Sequence, residues 1–387
     1  MKTLTSRTSS RTARAALVAL VTLAAGWATA CSDSATARPD AGTGQPGGGG
    51  AVEAATAFAS GQEIAIAVPE KGKVFLSLSP LGIVPAPADP RVSTGWDMAF
   101  EQYTITTNGG VSGPGQAASF GPLDAAAFVG DAAPTVPFLV ADKAAGAFLD
   151  WFAYEGAPSH ALFSRFHVVG VKDGERLWKV QLLSYYGERD GAPISALYSL
   201  RYAELTDRGE GPTQQVDRLE GTAGGPGGGP NEPSELLDLA TGARSQLTPA
   251  DALASRLWHL SFRRQTVGVN GGLGGPRGVA ACDLDEAGLK DETMDVVRAR
   301  TPESERARFA SVTRASFDGR SFRADGVVSG FSDAWVDRAG ASPAPAYATW
   351  IVVDAEGNKF MIGFSKFVSA STTSPGTIVM HLKPVSR

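Results

Sequence analysis

Side chains able to carry chemistry are scarce in this sequence of 387 residues. Four histidines (His160, His167, His259 and His381), two cysteines (Cys31 and Cys282) and five methionines supply its nitrogen and sulfur donors. No paired-histidine zinc motif, cysteine cluster or G-x-S-x-G elbow is present. Cys282 ends the strand-like run Val279-Ala280-Ala281-Cys282 with no histidine nearby, so it reads as a small core residue rather than a nucleophile. Asp283-Leu284-Asp285-Glu286 with Asp291-Glu292 is acidic enough to attract calcium. It lacks the glycine and terminal glutamate of a twelve-residue calcium loop, and reads as a solvated acidic loop. Dispersed serine–histidine–acid triads leave no trace in one sequence, and nothing here demands an enzyme.

The elements that must position these residues are mainly strands. Hydrophobic residues make up 43% and charged residues only 19%, while 46 glycines and 24 prolines favour a turn-rich β protein. Trp96, Met98 and Phe100 alternate with Asp97 and Ala99, giving one apolar face. The same period runs through Ile194, Ala196, Tyr198, Leu200 and Tyr202, and through Ile378, Met380 and Leu382. Asp173-Gly174 and Glu356-Gly357 predict hairpin turns that need positive φ. Helical pattern is confined to Asp285–Arg298 and Pro302–Ala310. His381, on the polar face of the last strand, and His259 are expected to face solvent, and His167 to be structural or an alternative donor close to His160.

The first 30 residues carry Lys2, Arg7, Arg11 and Arg14, no acid, and the apolar run Ala16–Ala28, which is too short to span a bilayer. That is the pattern of a secretory signal. Ala28-Thr29-Ala30-Cys31 resembles a bacterial lipobox, which implies cleavage before Cys31 and lipidation of that residue. Ser32 in place of Asp then implies the outer membrane. Residues 31–55 read as a disordered tether, with membrane contact through the lipid anchor only. Net charge is −5, and near −9 without the first 30 residues, which argues against a nucleic-acid partner.

Residues 96–114 align without gaps to 258–276, with eight of nineteen positions identical, where chance gives roughly one or two. Trp96/Trp258, Phe100/Phe262, Asn108/Asn270 and Gly109-Gly110/Gly271-Gly272 are among them. Residues 166–186 find a partner in 350–369. Between the copies, 207–234 is rich in glycine and proline. Its GGPGGGP run has no Gly-Lys-Ser/Thr ending, so it reads as a linker rather than a phosphate loop. The expected organisation is all-β, with two tandem antiparallel domains over 56–206 and 235–387, joined by a flexible linker at 207–234.

Trp96-Asp97-Met98-Ala99-Phe100, Thr107-Asn108-Gly109-Gly110, and the Val-rich strand with Asp173-Gly174 and Gln181-Leu182-Leu183-Ser184-Tyr185-Tyr186 resemble the HmuY family of haem-binding bacterial lipoproteins. The resemblance covers about 70–205 well and 233–387 more loosely. It implies an all-β, surface-anchored protein for iron acquisition, holding haem between two axial His or Met side chains. His160, after Trp151-Phe152-Ala153-Tyr154, falls at one ligand position. Residues 111–150, where the other ligand is expected, hold neither His nor Met. In the second copy Ala344 replaces His160, and Met294 lies in the other ligand zone, where it also reads as an ordinary helix-face methionine. The expectation is haem binding through His160 of the first repeat, with an outer-membrane receptor as partner. The alternative is a tandem β module that keeps the scaffold and binds another small apolar ligand or a protein.

Overall fold

Glycine-containing turns divide this chain into short strands. In the computed structural model, which describes residues 56–385 except 137, 157 and 223–230, every strand ladder is antiparallel. The signal at 1–30, Cys31 and the tether at 31–55 lie outside the described residues. The longest hairpin joins β11 (Arg176–Arg189) to β12 (Ala192–Thr206) through Asp190-Gly191, whose φ values of 52° and 80° define the two-residue turn that suits twisted strands. The Asp173-Gly174 turn forms as expected between β10 (Val169–Asp173) and β11, with Gly174 at φ 58°.

Four larger sheets result. The first runs β1 (Gln62–Ala67), β25 (Thr377–Pro384), β24 (Lys359–Val368), β23 (Thr349–Val353), β6 (Ala118–Leu123). The second runs β13 (Gly209–Glu210), β12, β11, β10, β19 (Ala280–Asp283), with β14 (Gln214–Glu220) also on β12. Two four-stranded sheets complete them. One is β3 (Leu81–Val84), β2 (Val74–Leu78), β4 (Met98–Glu101), β5 (Thr104–Thr107); the other is β16 (Arg244–Leu247), β15 (Ser234–Leu237), β17 (Leu260–Arg263), β18 (Thr266–Val269). Three two-stranded ribbons pair β7 (Lys143–Ala145) with β20 (Gly326–Val328), β8 (Phe152–Tyr154) with β9 (Leu162–Ser164), and β21 (Val336–Asp337) with β22 (Ala344–Pro345).

The segments expected as separate domains, 56–206 and 235–387, share these sheets. β1 pairs with β25 and β6 with β23, while β10 pairs with β19. The cores follow the same division. Leu76, Met98 and Phe100 pack with Trp335, Trp350 and Phe364. Leu237, Leu260 and Phe262 pack with Trp151, Trp178 and Tyr198. One lobe is therefore the continuous stretch 146–325, and the other joins 56–142 to 329–385, with β7 and β20 between them. Residues 207–234, expected as a linker, contribute β13 and β14 to the second sheet. β14 gains its place by backbone pairing along β12, a contact that glycine and proline counts do not register.

Local hydrogen bonds repeat at the matching segments. Trp96 Nε1 donates to Pro90 O and Trp258 Nε1 to Ala252 O, both at 3.1 Å. Asn108 Nδ2 donates to Ser93 O and Trp96 O, and Asn270 Nδ2 to Ser255 O and Trp258 O. Asp142 and Asp325 accept the N–H of Thr107 and Val269 respectively.

The expected helical stretches contain a 3-10 turn (Glu286–Asp291) and three-dimensionally short helices α2 (Met294–Ala299) and α3 (Arg306–Ser311), preceded in the chain by α1 (Pro249–Ala254). No helix among the described residues is long and apolar enough to cross a membrane.

Candidate functional site

His160 sits in the loop between β8 and β9, a hairpin fixed by pairing of Phe152, Ala153 and Tyr154 with Ser164, Phe163 and Leu162. Trp151 anchors the hairpin base, buried, with its indole N–H donated to Gln265 O at 2.8 Å. The loop closes through His160 N to Gly156 O (2.8 Å) and Glu155 N to Ala161 O (2.9 Å), with His160 at φ 54°. The His160 side chain is exposed, and its Nδ1 is hydrogen-bonded to the Tyr154 hydroxyl. When Nδ1–H donates to that oxygen, Nε2 carries the lone pair and is the atom free to bind a metal.

Helix α2 packs on this hairpin. Arg298 pairs with Glu155 of the loop and lies over the Phe163 ring, 5.7 Å from its centroid. Met294, partly buried, stands four residues earlier, which puts it on the same helix face. The hydroxyl of Tyr186, a partly exposed residue, accepts the Leu162 N–H of β9 at 3.1 Å. Sequence reasoning singled out His160 and Met294 separately. Their placement in one lobe, and the roles of Glu155 and Arg298 in joining the two elements, come from contacts more than 130 residues apart and had no local signal.

His167 is not available as a second donor. It is buried, with Nδ1 2.7 Å from Asp283 Oδ2 and Nε2 3.2 Å from Glu292 Oε1. Burial pulls its pKa down, but the hydrogen bonds and charges of Asp283 and Glu292 outweigh that and hold it at about 9. Glu292 also meets Arg165 at 2.6 Å and Arg300 at 2.5 Å, and these partners overcome its burial to bring it to about 2. The acidic run is a solvated loop only in part: Asp283 and Glu292 are turned inward to His167, Asp285 pairs with Arg308, and the exposed Glu286 pairs with Arg323. Because His167 binds its proton more tightly in the folded chain, its stabilisation is whole below pH 6.5 and is lost as pH rises toward about 9. His167→Gln should remove a fall in urea midpoint across that window. Parallel pH profiles of the two proteins would contradict the assignment.

His259 and His381, expected to face solvent, are both buried. His259 takes the place of Asp97: Asp97 Oδ2 accepts Leu78 N at 2.7 Å, and His259 Nδ1 accepts Leu239 N at 3.1 Å. Burial and the neighbouring Arg277 lower His259 to about 4 against the opposing pull of Asp238 and Asp173, so it is neutral. The alternation in these strands marked one apolar face, yet both faces are covered, so Asp97 and His259 became buried caps for backbone N–H groups. Asp97, Asp354 and Glu356 bring carboxylate oxygens within 4.8 Å of one another. Asp97 and Asp354 are committed to backbone donors of Leu78, Ala355, Glu356 and Asn358, and so hold the β23–β24 turn.

A serine–histidine–acid grouping does occur: Ser365 Oγ lies 2.9 Å from His381 Nε2, and Glu63 Oε2 lies 3.7 Å from the same nitrogen. The His381 Nδ1 is buried without a partner. A relay needs the acid on the nitrogen opposite the hydroxyl, and this arrangement lacks it. Cys282 is buried in β19. A cleft of about 470 Å³ beside the β12–β13 hairpin is lined by Leu205, Glu210, Val312, Thr313, Arg314 and Asp318 among others, and by no His or Met. The chain matches no family model and no curated protein.

Proposed function

We propose that this chain is an exported surface lipoprotein that binds haem as cargo at the face formed by the β8–β9 hairpin and α2. The observation that carries the reading is the seating of α2 against the hairpin through Arg298, Glu155 and Phe163. It gathers into one lobe the imidazole of His160 and the thioether of Met294, the two donor types that suit a haem iron. Each repeat supplies one of them. The fit is supported by the Tyr154 hydroxyl bond, which orients the His160 ring and leaves Nε2 for the iron, and by the Tyr154 ring, whose centroid lies 5.9 Å from that of the imidazole. His160 binds; Tyr154 orients; Met294 is the proposed partner donor. Anchoring rests on the lipobox-like sequence before Cys31.

Haemin added to the protein should produce a shifted Soret band. His160→Ala should abolish most of that shift, and Met294→Ala should weaken binding about tenfold or more and alter the band position, as expected for loss of one axial ligand. A wild-type spectrum identical to free haemin would refute the reading.

A second reading attaches to the other lobe. There the ribbon β21–β22 carries Ala344 where the first repeat has His160, and residues 111–150 bring no His or Met. That lobe keeps the scaffold without a donor at either of these positions, as a module for another apolar ligand or a protein would. A protein with no haem response in either lobe would favour this reading for the whole chain.

A further inference from the structure

We propose that the protein is a strand-exchanged pair of half-chains, 56–222 and 231–385, and that their association does not depend on the peptide connection between them. The inference is independent of haem binding. It starts from the ribbon at the crossover, where Lys143, Ala144 and Ala145 face Val328, Val327 and Gly326. Asp142 and Asp325 precede the two strands and hold matching turns, so β7 and β20 are corresponding strands of the two repeats, paired with each other about the Ala144–Val327 position. An isologous contact of this kind is what a twofold axis produces when like segments meet.

On either side of the ribbon the repeats trade halves. Trp151 of the first repeat donates to Gln265 O of the second, and Trp335 of the second donates to Tyr103 O of the first. β1 lies along β25 over six residue pairs, and β10 along β19 over four. The decisive comparison is between the lobes. The lobe built from 56–142 and 329–385 is assembled from two segments that meet only through their packing and through the other lobe. The lobe 146–325 differs in having its two segments joined through 223–230. Cutting there leaves each lobe assembled from one segment of either fragment, held by packing and strand pairing alone. What the cut removes is an effective concentration, a term far smaller than the burial of two cores shared between the fragments.

The test replaces residues 223–230 with a protease recognition sequence in the otherwise full chain. After cleavage, both fragments should co-elute at the volume of the uncut protein in native buffer, and separate in denaturant. A second measurement uses Ala65→Cys with Val379→Cys, a facing pair across β1 and β25, in a chain also carrying Cys31→Ser. Facing positions in an antiparallel ladder lie about 4.5–5.5 Å apart at Cα, within disulfide range. Cleaved and oxidised, this variant should run as one band on a denaturing non-reducing gel and as two after reduction. Fragments that elute apart as folded species or precipitate after cleavage, or a cysteine pair that fails to oxidise, would overturn the proposal.

Discussion

Gly271→Ala should cost about 3–5 kcal/mol of stability and leave the chain largely unfolded under mild denaturant, where the wild type stays folded. A Cβ at this position would lie 1.9 Å from Val279 O and 2.9 Å from Val279 N and C, a contact with backbone that no rotamer change relieves. Val279 is fully buried and leads directly into β19, the strand that joins the second repeat to β10. Its N–H donates to Asn270 O at 2.9 Å, next to the substituted residue, so moving the segment to admit a methyl group breaks the turn it closes. Gly109→Ala should behave alike, since its Cβ would meet Ala117 O at 2.0 Å. Gly288→Ala is the control: its Cβ meets nothing within 4 Å, and its midpoint should stay within about 0.5 kcal/mol of wild type. Equal midpoints for Gly271→Ala and Gly288→Ala in urea unfolding would show that the close approach does not exist.

Asp325→Asn should make the protein more stable at pH 8, by about 2–4 kcal/mol, and leave it nearly unchanged at pH 4. The Asp325 carboxylate is buried at the end of the crossover, and a Cβ on Gly146, Gly268 or Gly274 would come within 2.7–2.9 Å of it. Its hydrogen bond comes from Val269 N at 3.0 Å. Burial raises its pKa from 3.8 to about 7, with that backbone bond opposing only in part. A carboxyl that holds its proton more tightly when folded stabilises fully below pH 3.8, and that contribution drains away as pH rises to about 7. Asparagine keeps the acceptor for Val269 N and has no charge to bury. Asp142, raised to about 6 by burial against the bonds from Ser112 and Thr107, is present in both proteins and cancels in the comparison. The measurement is the difference in unfolding free energy between the two proteins from pH 4 to 8. A difference that does not change with pH would rule the buried charge out.

Much of the local structure was legible in the residues. Period-two apolar patterns located β4, β12 and β25, and Asp173-Gly174 located a hairpin, because strand pleat and positive-φ turns are decided within a few residues. The Trp and Asn-Gly-Gly positions that repeat in the sequence repeat as hydrogen bonds for the same reason: each bond closes within about 15 residues. His160 was legible as a candidate donor, and the structure places it exposed in the β8–β9 loop. The burial of His259 and His381 was not, since alternation reports one covered face and is silent about a second layer. The fate of His167 depended on Glu292, 125 residues away.

The sequence by itself determined that this is a β protein written with two similar sets of strands and turns, and it singled out His160 as a candidate donor. Only the tertiary structure decided which set packs with which. Strands β6 and β19 follow the matching turns at Asn108 and Asn270, so local pattern does not say whether each pairs within its own half of the sequence or across the halves. The crossover at β7 and β20 makes the choice, because it carries each repeat's second half away from its own first half and onto the other's core.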